Sequence, residues 1–409
     1  MRNVSAGVGT SQLDNPSKAA EEAVKTAIKE MQKSGNKTPT FGVVFCSAKK
    51  YARNEKSLKE LVKKINDLFK CNWIGCTTAG ELSNYGFSTG SCVALAVSSD
   101  YISTGIGVGD NVSKNPRLAG KASAKEATEN LRKALRKEQK FVNPTYALTI
   151  FPGTTKKVLG HEEETLAGML EILSKNTFIA GGSAGDDVQF EQTYQFVNGK
   201  IYKDATIVMA LFSKLRNVHS VDHGYKPTRR VAVATESEGK IVKTLDNKPA
   251  AEVYAKLVGT TLDKLKENIV PYIAKYPFGF SDNMGNFWIK NPQAVLPDKS
   301  LLFFSPVPKN SVLYLLEGSQ NDILKATDRT GKLLDKITPA FSIIISCAGR
   351  MAYLQKDIYK EAEILKKELK NTPFVGFYSY SEQSTLPSGT CGSFCQTLVG
   401  VTFSDSLTL

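Results

Sequence analysis

The chain has 409 residues, of which 41% are hydrophobic and 23% are charged, and its formal net charge is +13. This length suffices for two or three domains with cores of their own, and the composition is typical of a globular protein. No run approaches the roughly 18 apolar residues of a membrane helix, and the first residues lack the apolar core of a signal peptide. We therefore predict a cytoplasmic protein without membrane insertion.

The basic residues do not indicate a nucleic-acid surface. Lysines such as Lys59, Lys63 and Lys64 alternate with acids on predicted helix faces, whereas nucleic-acid surfaces combine basic residues with stacking aromatics. We therefore expect no nucleic-acid partner. The seven cysteines are thinly spread, which favours free thiols over a disulfide framework.

The first predicted elements are a strand, NVSAGVGT, a helix with Asn15 as its N-cap, and a second strand, FGVVFCS. An amphipathic helix, SLKELVKKINDLF, leads to a third strand, a small-residue turn ending at Glu81, and a further strand, SCVALAVSS. Because both strands around the amphipathic helix are continuous apolar runs, we predict a buried parallel pair with a right-handed crossover.

A second copy of this unit begins at YISTGIGVGDN and continues with a helix from about 116 to 136, for which Asn115 is the predicted N-cap. A shift of 105 positions maps Cys46 to Phe151 and Glu81 to Asp186. Residues 214–310 interrupt the pattern with a predicted hairpin, RRVAVATESEGKIVKTL, a short helix and a stretch rich in Gly, Pro and aromatics.

A third copy follows, with SVLYLLEGSQND as its predicted first strand and Asn321 as its predicted N-cap. A shift of 301 positions maps Cys46 to Cys347 and Glu81 to Glu382. The repetition predicts an α/β fold of three β-α-β-α-β-β repeats in two packed modules, residues 1–213 and 214–409. We expect mixed, largely parallel sheets and an inserted segment near 214–310.

Ligands of open α/β sheets bind beyond the carboxyl ends of the strands, where the repeated turns lie. These turns and strand ends carry acids, hydroxyls and thiols that suit a small polar ligand. The candidate ligand-binding residues are Cys46, Thr77, Thr78, Glu81, Ser183, Asp186, Cys347, Arg350, Tyr380 and Glu382. The alternative is that the small residues only make tight turns and the acids cap neighbouring elements.

Arg350 is the one basic residue in this set. With Glu382 it could bind a zwitterion, or the two could form a structural clamp. We expect both near one concave surface with Glu81, Thr78 and Tyr380.

Catalysis and metal binding have weaker support. Cys347 could be a nucleophile with a pKa lowered by Arg350, but a buried structural thiol is the stronger interpretation. We expect Cys391 and Cys395, in a Gly/Ser-rich segment, to react faster with thiol reagents than Cys46, Cys76 and Cys347, which end predicted buried strands. We name no catalytic residue and no metal ligand, since Cys391 and Cys395 have no second pair, and His219 and His223 are only two ligands.

The ordered motifs resemble the FIST sensory family, whose N- and C-terminal modules occur in tandem. NWIGCTTAGELSNYG and FIAGGSAGDD resemble turns of the N-terminal module, and FSIIISCAGR and PFVGFYSYSEQ resemble segments of the C-terminal module. Ser381 stands where the family usually has Gly before the last glutamate, and Cys395 where it usually has Asn.

The resemblance implies a sensory protein that binds a small ligand, such as an amino acid or other small polar metabolite. We predict no resident cofactor. No output domain is visible, so it would signal through a separate output protein. Two alternatives stay open. One is a haem-binding nitric oxide sensor with His161, His219, His223 or a cysteine as axial ligand, and the other is a thiol-dependent hydrolase.

Overall fold

A computed structural model describes residues 2–35, 38–135, 142–282, 285–386 and 388–408. The first repeat forms as predicted, and the Asn15 side chain accepts a hydrogen bond from the Lys18 amide, which caps the first helix. Its elements are β1 (Ser5–Ser11), α1 (Pro16–Gln32), β2 (Phe41–Ser47), α2 (Ala48–Tyr51), α3 (Glu55–Phe69), β3 (Asn72–Thr78), β4 (Glu81–Ser83), β5 (Gly86–Ser88) and β6 (Cys92–Ser98).

The second repeat has the same order of core elements. Its first helix packs closely on its first strand because Gly109 has no side chain: a Cβ there would lie 1.9 Å from the Ala119 carbonyl oxygen. The predicted end of that helix at Arg136 lies outside the described residues. The elements are β7 (Ile102–Asp110), α4 (Pro116–Ala134), β8 (Tyr146–Phe151), α5 (Glu162–Leu170), β9 (Phe178–Ser183), β10 (Gln195–Val197), β11 (Lys200–Tyr202) and β12 (Ala205–Ser213).

The third repeat begins with β13 (Leu215–Asp222) and is then interrupted by an inserted unit, which we define as residues 226–317. The predicted hairpin forms there, with Gly239 at a φ of 55° in its turn. The elements of the inserted unit are β14 (Lys226–Glu238), β15 (Ile241–Leu245), β16 (Lys248–Pro249), α6 (Ala250–Val258), α7 (Leu262–Glu267), α8 (Val270–Lys275), β17 (Phe278–Ser281), β18 (Phe287–Lys290), β19 (Pro292–Val295), β20 (Leu301–Phe303) and β21 (Val312–Glu317).

The repeat resumes after the inserted unit, and Ser319 rather than Asn321 caps its first helix. Short 3-10 turns lie at Asp335–Ile337 and Gln355–Asp357. The elements are α9 (Gln320–Leu334), β22 (Pro339–Cys347), α10 (Ala348–Leu354), α11 (Tyr359–Leu369), β23 (Phe374–Ser379), β24 (Glu382–Thr385), β25 (Cys391–Phe394) and β26 (Leu398–Leu407).

The first strand of the third repeat was assigned wrongly from the sequence. The predicted strand, β21, pairs with β14 and β17 in the inserted unit. The equivalent of β1 and β7 is β13, which pairs with β26 at the edge of the third sheet. The insertion separates β13 from its helix α9, so the strand nearest the helix in sequence is not the one it packs with.

Each repeat builds one sheet, and the order of its four strands is the same in all three repeats: β1-β6-β2-β3, β7-β12-β8-β9 and β13-β26-β22-β23. The predicted parallel pairs form as β2/β3, β8/β9 and β22/β23. The α/β class is confirmed, but the expectation of largely parallel sheets was wrong. The last strand of each repeat returns between the first and second strands and runs antiparallel to both.

The repeats exchange strands in a ring. The β4–β5 hairpin of the first repeat pairs with β23 and extends the third sheet. The β10–β11 hairpin of the second repeat pairs with β3 and extends the first sheet. The β24–β25 hairpin of the third repeat pairs with β9 and extends the second sheet. Two sheets therefore take strands from both sides of residue 213, and the two-module division stays a prediction.

The central core lies where the three sheets face one another. One cluster of buried side chains joins all three repeats, with Phe45 against Phe377 at a centroid distance of 4.4 Å and Tyr146 against Phe403 at 5.3 Å. Separate clusters fill the space between each sheet and its own helices, and another fills the inserted unit. This arrangement places the carboxyl ends of the three parallel pairs, and the turns that follow them, close together.

Candidate functional site

The three predicted turns meet through backbone hydrogen bonds. The Gly185 amide donates to the Thr77 carbonyl at 2.9 Å, the Ala79 amide to the Tyr378 carbonyl at 3.0 Å, and the Tyr380 amide to the Ser183 carbonyl at 3.1 Å. Each bond joins two different repeats. The structure thus brings together the segments that carry most of the predicted site residues.

A cavity of about 200 Å³ lies beside this junction, between the third repeat, the inserted unit and loops of the second repeat. Its floor is the end of the parallel pair β22/β23, where Cys347 meets Ser379, and α8 covers it. The lining residues are Thr154, Val188, Phe190, Val270, Ile273, Ala274, Asn291, Phe304, Cys347, Ala348, Gly349, Ala352, Ser379, Tyr380, Cys395 and Gln396. Of the ten predicted site residues, Cys347 and Tyr380 line it.

The hydrogen bonds of Gln396 hold α8 over the cavity. The Gln396 side-chain amide donates to the Ile273 carbonyl at 2.7 Å. The Tyr225 hydroxyl lies within hydrogen-bond distance of both Gln396 Oε1 and the Ala274 carbonyl oxygen, the latter at 2.6 Å. These hydrogen bonds therefore tie the cover of the cavity to the third repeat.

The Cys347 thiol sits on the cavity wall at the end of β22 and is 6% exposed. Burial, and then the nearby Glu382, raise the pKa of this thiol well above its usual range. The Gly349 amide donates to the Cys347 sulfur at 3.4 Å. The group is a neutral thiol near pH 7, which favours the interpretation as a packed side chain.

Glu382 and Glu81 occupy equivalent buried positions. Glu382 accepts hydrogen bonds from the Ser379 hydroxyl at 2.5 Å and the Thr397 amide at 3.2 Å. Glu81 accepts from the Thr78 hydroxyl at 2.6 Å and from the amide and hydroxyl of Ser91. Burial raises the pKa of each carboxyl to about 8, although these hydrogen bonds act in the opposite direction.

Asp186, the second-repeat counterpart, has a different role. Its carboxylate accepts hydrogen bonds from the amides of Phe190, Glu191 and Gln192 and from the Tyr380 hydroxyl. The Tyr380 ring stacks on Phe190 with a centroid distance of 4.6 Å. Asp186 therefore fixes the loop that forms one wall of the cavity.

Arg350 is fully buried and bonded to protein acceptors. Its guanidinium donates to Glu361 Oε1 at 2.9 and 3.1 Å and to the Thr327 hydroxyl at 2.8 Å. Glu361 also accepts from the Tyr378 hydroxyl at 3.0 Å. Both partners of this ion pair are 0% exposed. These contacts favour a structural clamp over a ligand contact, but the partner of Arg350 is Glu361 and not the predicted Glu382.

The other predicted residues lie at the equivalent ends of the first two repeats. Cys46, Thr77 and Thr78 are fully buried at the ends of β2 and β3. The Ser183 hydroxyl, also buried, donates to Glu162 at 3.2 Å. Burial raises the pKa of the Cys46 thiol, as it does for Cys347.

Two residues near the site were missed in the sequence. Glu361 lies on the apolar stripe of α11, between Ile358 and Leu365, and an acid on such a stripe is a recognisable sign of a buried partner. Asn291 lies between β18 and β19 and lines the cavity. Nothing in its local sequence distinguishes it from other loop asparagines.

Cys391 and Cys395 differ from their predicted setting. Cys391 begins β25 and is half-buried, and Cys395 is 9% exposed at the cavity wall. The Gly/Ser-rich segment pairs with β24 as a strand, so rapid reaction of Cys395 is no longer expected. All seven cysteines, which lie in described ranges, are free.

The described residues contain no group of three or more His, Cys, Asp or Glu side chains able to hold a metal ion. Among these residues, too, the structure holds no helix that is long and apolar enough to span a membrane.

Comparisons with known proteins agree with the ordered motifs. The FIST N domain model matches residues 40–248 and the FIST C domain model matches residues 250–385. An uncharacterised protein of Methanocaldococcus jannaschii is 26% identical over 323 residues, which are 75% of this chain and 59% of that protein. The chain thus spans less than two thirds of that relative. A cyanuric acid hydrolase from A. caulinodans superposes over 98% of this chain and 99% of its own, with a TM-score of 0.36 and 8% identity. Since the two domain models together match most of the chain, in tandem, it belongs to the FIST family.

Proposed function

We propose that this protein is a small-molecule sensor whose ligand occupies the cavity between the third repeat, the inserted unit and loops of the second repeat. FIST domains are generally sensory domains for small ligands. The observation that carries the proposal is a largely apolar cavity at the carboxyl ends of β22 and β23, covered by an element of a different unit. Concave, mostly apolar sites with a few polar groups are typical of ligand binding.

The size of the cavity limits the ligand. Sites for drug-sized ligands measure about 300–1,000 Å³, and this cavity measures about 200 Å³. A molecule of amino-acid size fits a cavity of this volume, and so does the small metabolite that the family resemblance implies.

A ligand in this cavity would contact α8 directly. Ile273 and Ala274 line the cavity, and their carbonyls are the acceptors that tie α8 to Gln396 and Tyr225. A bound ligand would therefore alter the hydrogen bonds from Gln396 and Tyr225 that hold α8 against the third repeat. We propose that a separate output protein detects this change, in the cytoplasm.

The haem alternative has less support. His223 uses both ring nitrogens, with the Tyr225 amide at 3.0 Å and the Phe287 carbonyl at 3.1 Å. The His219 ring packs against the Phe178 ring in a tilted arrangement, with a centroid distance of 3.5 Å. Neither these two nor His161 is among the cavity-lining residues that the structure describes. A Soret band that survives desalting of the purified protein would nevertheless favour haem over our proposal.

The thiol hydrolase alternative needs a thiolate, and the raised pKa of Cys347 opposes it. Arg350, the residue expected to lower that pKa, is paired with Glu361 instead. Rapid alkylation of Cys347 in the folded protein, faster than that of the half-buried Cys71, would favour the hydrolase.

The test is a screen of amino acids, organic acids and small aromatic compounds for thermal stabilisation and for protection of Cys347 from alkylation. A ligand at a hundred times its dissociation constant stabilises the folded state by about 2.7 kcal/mol. Cys71 lies outside the cavity and provides an internal reference, because cavity binding should leave its alkylation rate unchanged.

A matched pair of variants locates the effect. Ala274→Phe fills the cavity and should abolish both stabilisation and protection. Ala294→Phe makes the same change in the inserted unit on β19, outside the cavity lining, and should retain both. Equal ligand responses in the two variants would show that the ligand binds elsewhere.

A further inference from the structure

We infer that the ligand is an uncharged, largely apolar molecule with one hydrogen-bond donor that pairs with the side-chain carboxamide of Asn291. This inference rests on the proposed function and specifies the chemistry of the same cavity. It differs from the zwitterion expected from the sequence.

The first argument is charge. Among the described lining residues, none is Asp, Glu, Lys, Arg or His. The predicted site residue Glu382 is bonded to the lining residue Ser379 but is not itself part of the lining, and it is 0% exposed. Burying an ionised group without a partner is strongly unfavourable, and a zwitterion would bring two such groups into this cavity.

The second argument is that most polar side chains of the lining already have partners. The Ser379 hydroxyl donates to Glu382 and the Tyr380 hydroxyl to Asp186. The Thr154 hydroxyl accepts from the Gly160 amide at 2.9 Å. Gln396 is engaged at both ends of its carboxamide with Tyr225 and α8.

Asn291 is the exception. Its backbone carbonyl accepts from the Phe304 amide at 3.0 Å, which fixes its position between two strands. Its side chain is buried, with 2% of the residue exposed, and its Oδ1 atom has no hydrogen-bond partner among the described residues. Buried polar atoms are nearly always satisfied in native proteins. A donor on a bound ligand would supply the missing partner.

The body of the ligand must match the rest of the wall, which consists of aliphatic and aromatic side chains. Val270 and Ile273 contribute from α8, and Phe190 and Phe304 contribute rings. A compact ring with one N–H or O–H group meets both requirements.

Indole and benzofuran provide the test, because they have nearly the same shape and differ in the N–H donor. Binding of each to the full chain is measured by calorimetry, with L-tryptophan as the charged comparison. Since a hydrogen bond contributes on the order of 1 kcal/mol net, we expect indole to bind about five- to tenfold more tightly than benzofuran. L-tryptophan should bind more weakly than either.

Two variants assign the donor preference to Asn291. Asn291→Leu should bring the indole-to-benzofuran affinity ratio close to one. Gln293→Met removes another partnerless carboxamide oxygen two residues away, outside the lining, and should keep the wild-type ratio. If Asn291→Leu does not fold, Asn291→Ala replaces it, because this change also removes the carboxamide. The indole-to-benzofuran affinity ratio should again fall close to one.

Failure of the inference and failure of the proposed function give different results. If charged amino acids protect Cys347 and indole and benzofuran do not, the cavity is the site but the inferred ligand class is wrong. An unchanged ratio in Asn291→Leu also overturns the inference. If no compound in the screen or in this panel protects Cys347, the proposed function fails and the inference fails with it.

Discussion

Removal of the Arg350 guanidinium is the sharpest test of how the third repeat is held together. Arg350 and Glu361 are both 0% exposed, and the guanidinium makes two hydrogen bonds to Glu361 and one to Thr327. Arg350→Met leaves the Glu361 carboxylate buried without its counter-charge, and breaking a buried pair in this way costs about 3–5 kcal/mol. Arg350→Lys keeps the charge but loses the planar pair of hydrogen bonds, at a cost of about 1.5–3 kcal/mol.

The measurement is the free energy of unfolding from urea titration, made without ligand. Adding Glu361→Gln to Arg350→Met removes the orphaned charge, so we expect the double variant to be more stable than Arg350→Met alone. In the absence of urea, the affinity of Arg350→Lys for indole should stay close to that of the wild-type protein. A variant Arg350→Lys with unchanged stability and lost ligand binding would refute this reasoning, since Arg350 would then contact the ligand.

Two further predictions concern buried charges. Burial raises the pKa of Glu81 and Glu382 to about 8 from an ordinary value of 4.5. The folded state therefore binds more protons than the unfolded state between these values, and the free energy of unfolding should fall as pH rises from about 4.5 to about 8, by up to about 1.4 kcal/mol per pH unit for each carboxyl. Urea titrations at several pH values measure this dependence, and Glu81→Gln or Glu382→Gln should make the free energy of unfolding less dependent on pH. A free energy of unfolding that rises between about pH 4.5 and about pH 8 would contradict the prediction. Lys290, whose side chain is 5% exposed, pairs with a glutamate of α5, so Lys290→Met should cost about 1–3 kcal/mol. Lys332→Met breaks an exposed pair on α9 and should change the free energy of unfolding by less than about 0.5 kcal/mol. Equal losses in Lys290→Met and Lys332→Met would contradict a stabilising role of the Lys290 pair.

The local part of the fold was readable from the sequence. Continuous apolar strands, the helix stripes and the Asn15 cap follow from residue patterns within a few turns, and the shifts of 105 and 301 positions relate strand ends that the structure places equivalently. Cys46 meets Thr77, Phe151 meets Ser183, and Cys347 meets Ser379 across the three parallel pairs.

The long-range part was not readable. The exchange of hairpins between repeats depends on which sheet edge is free, and local sequence does not encode the partner of an edge strand. The placement of β21 failed for the same reason. At the site, the repeat identified Cys347, Tyr380 and Glu382, but the covering helix α8 and the carboxamide of Asn291 come from the insertion, which has no counterpart in the other repeats to mark it.

A crystal structure of the protein grown with indole tests most directly whether the cavity binds a ligand. We predict ordered indole between α8 and the ends of β22 and β23, with its N–H within hydrogen-bond distance of the Asn291 side chain. Indole ordered at another site, with this cavity empty or collapsed, would contradict the proposal.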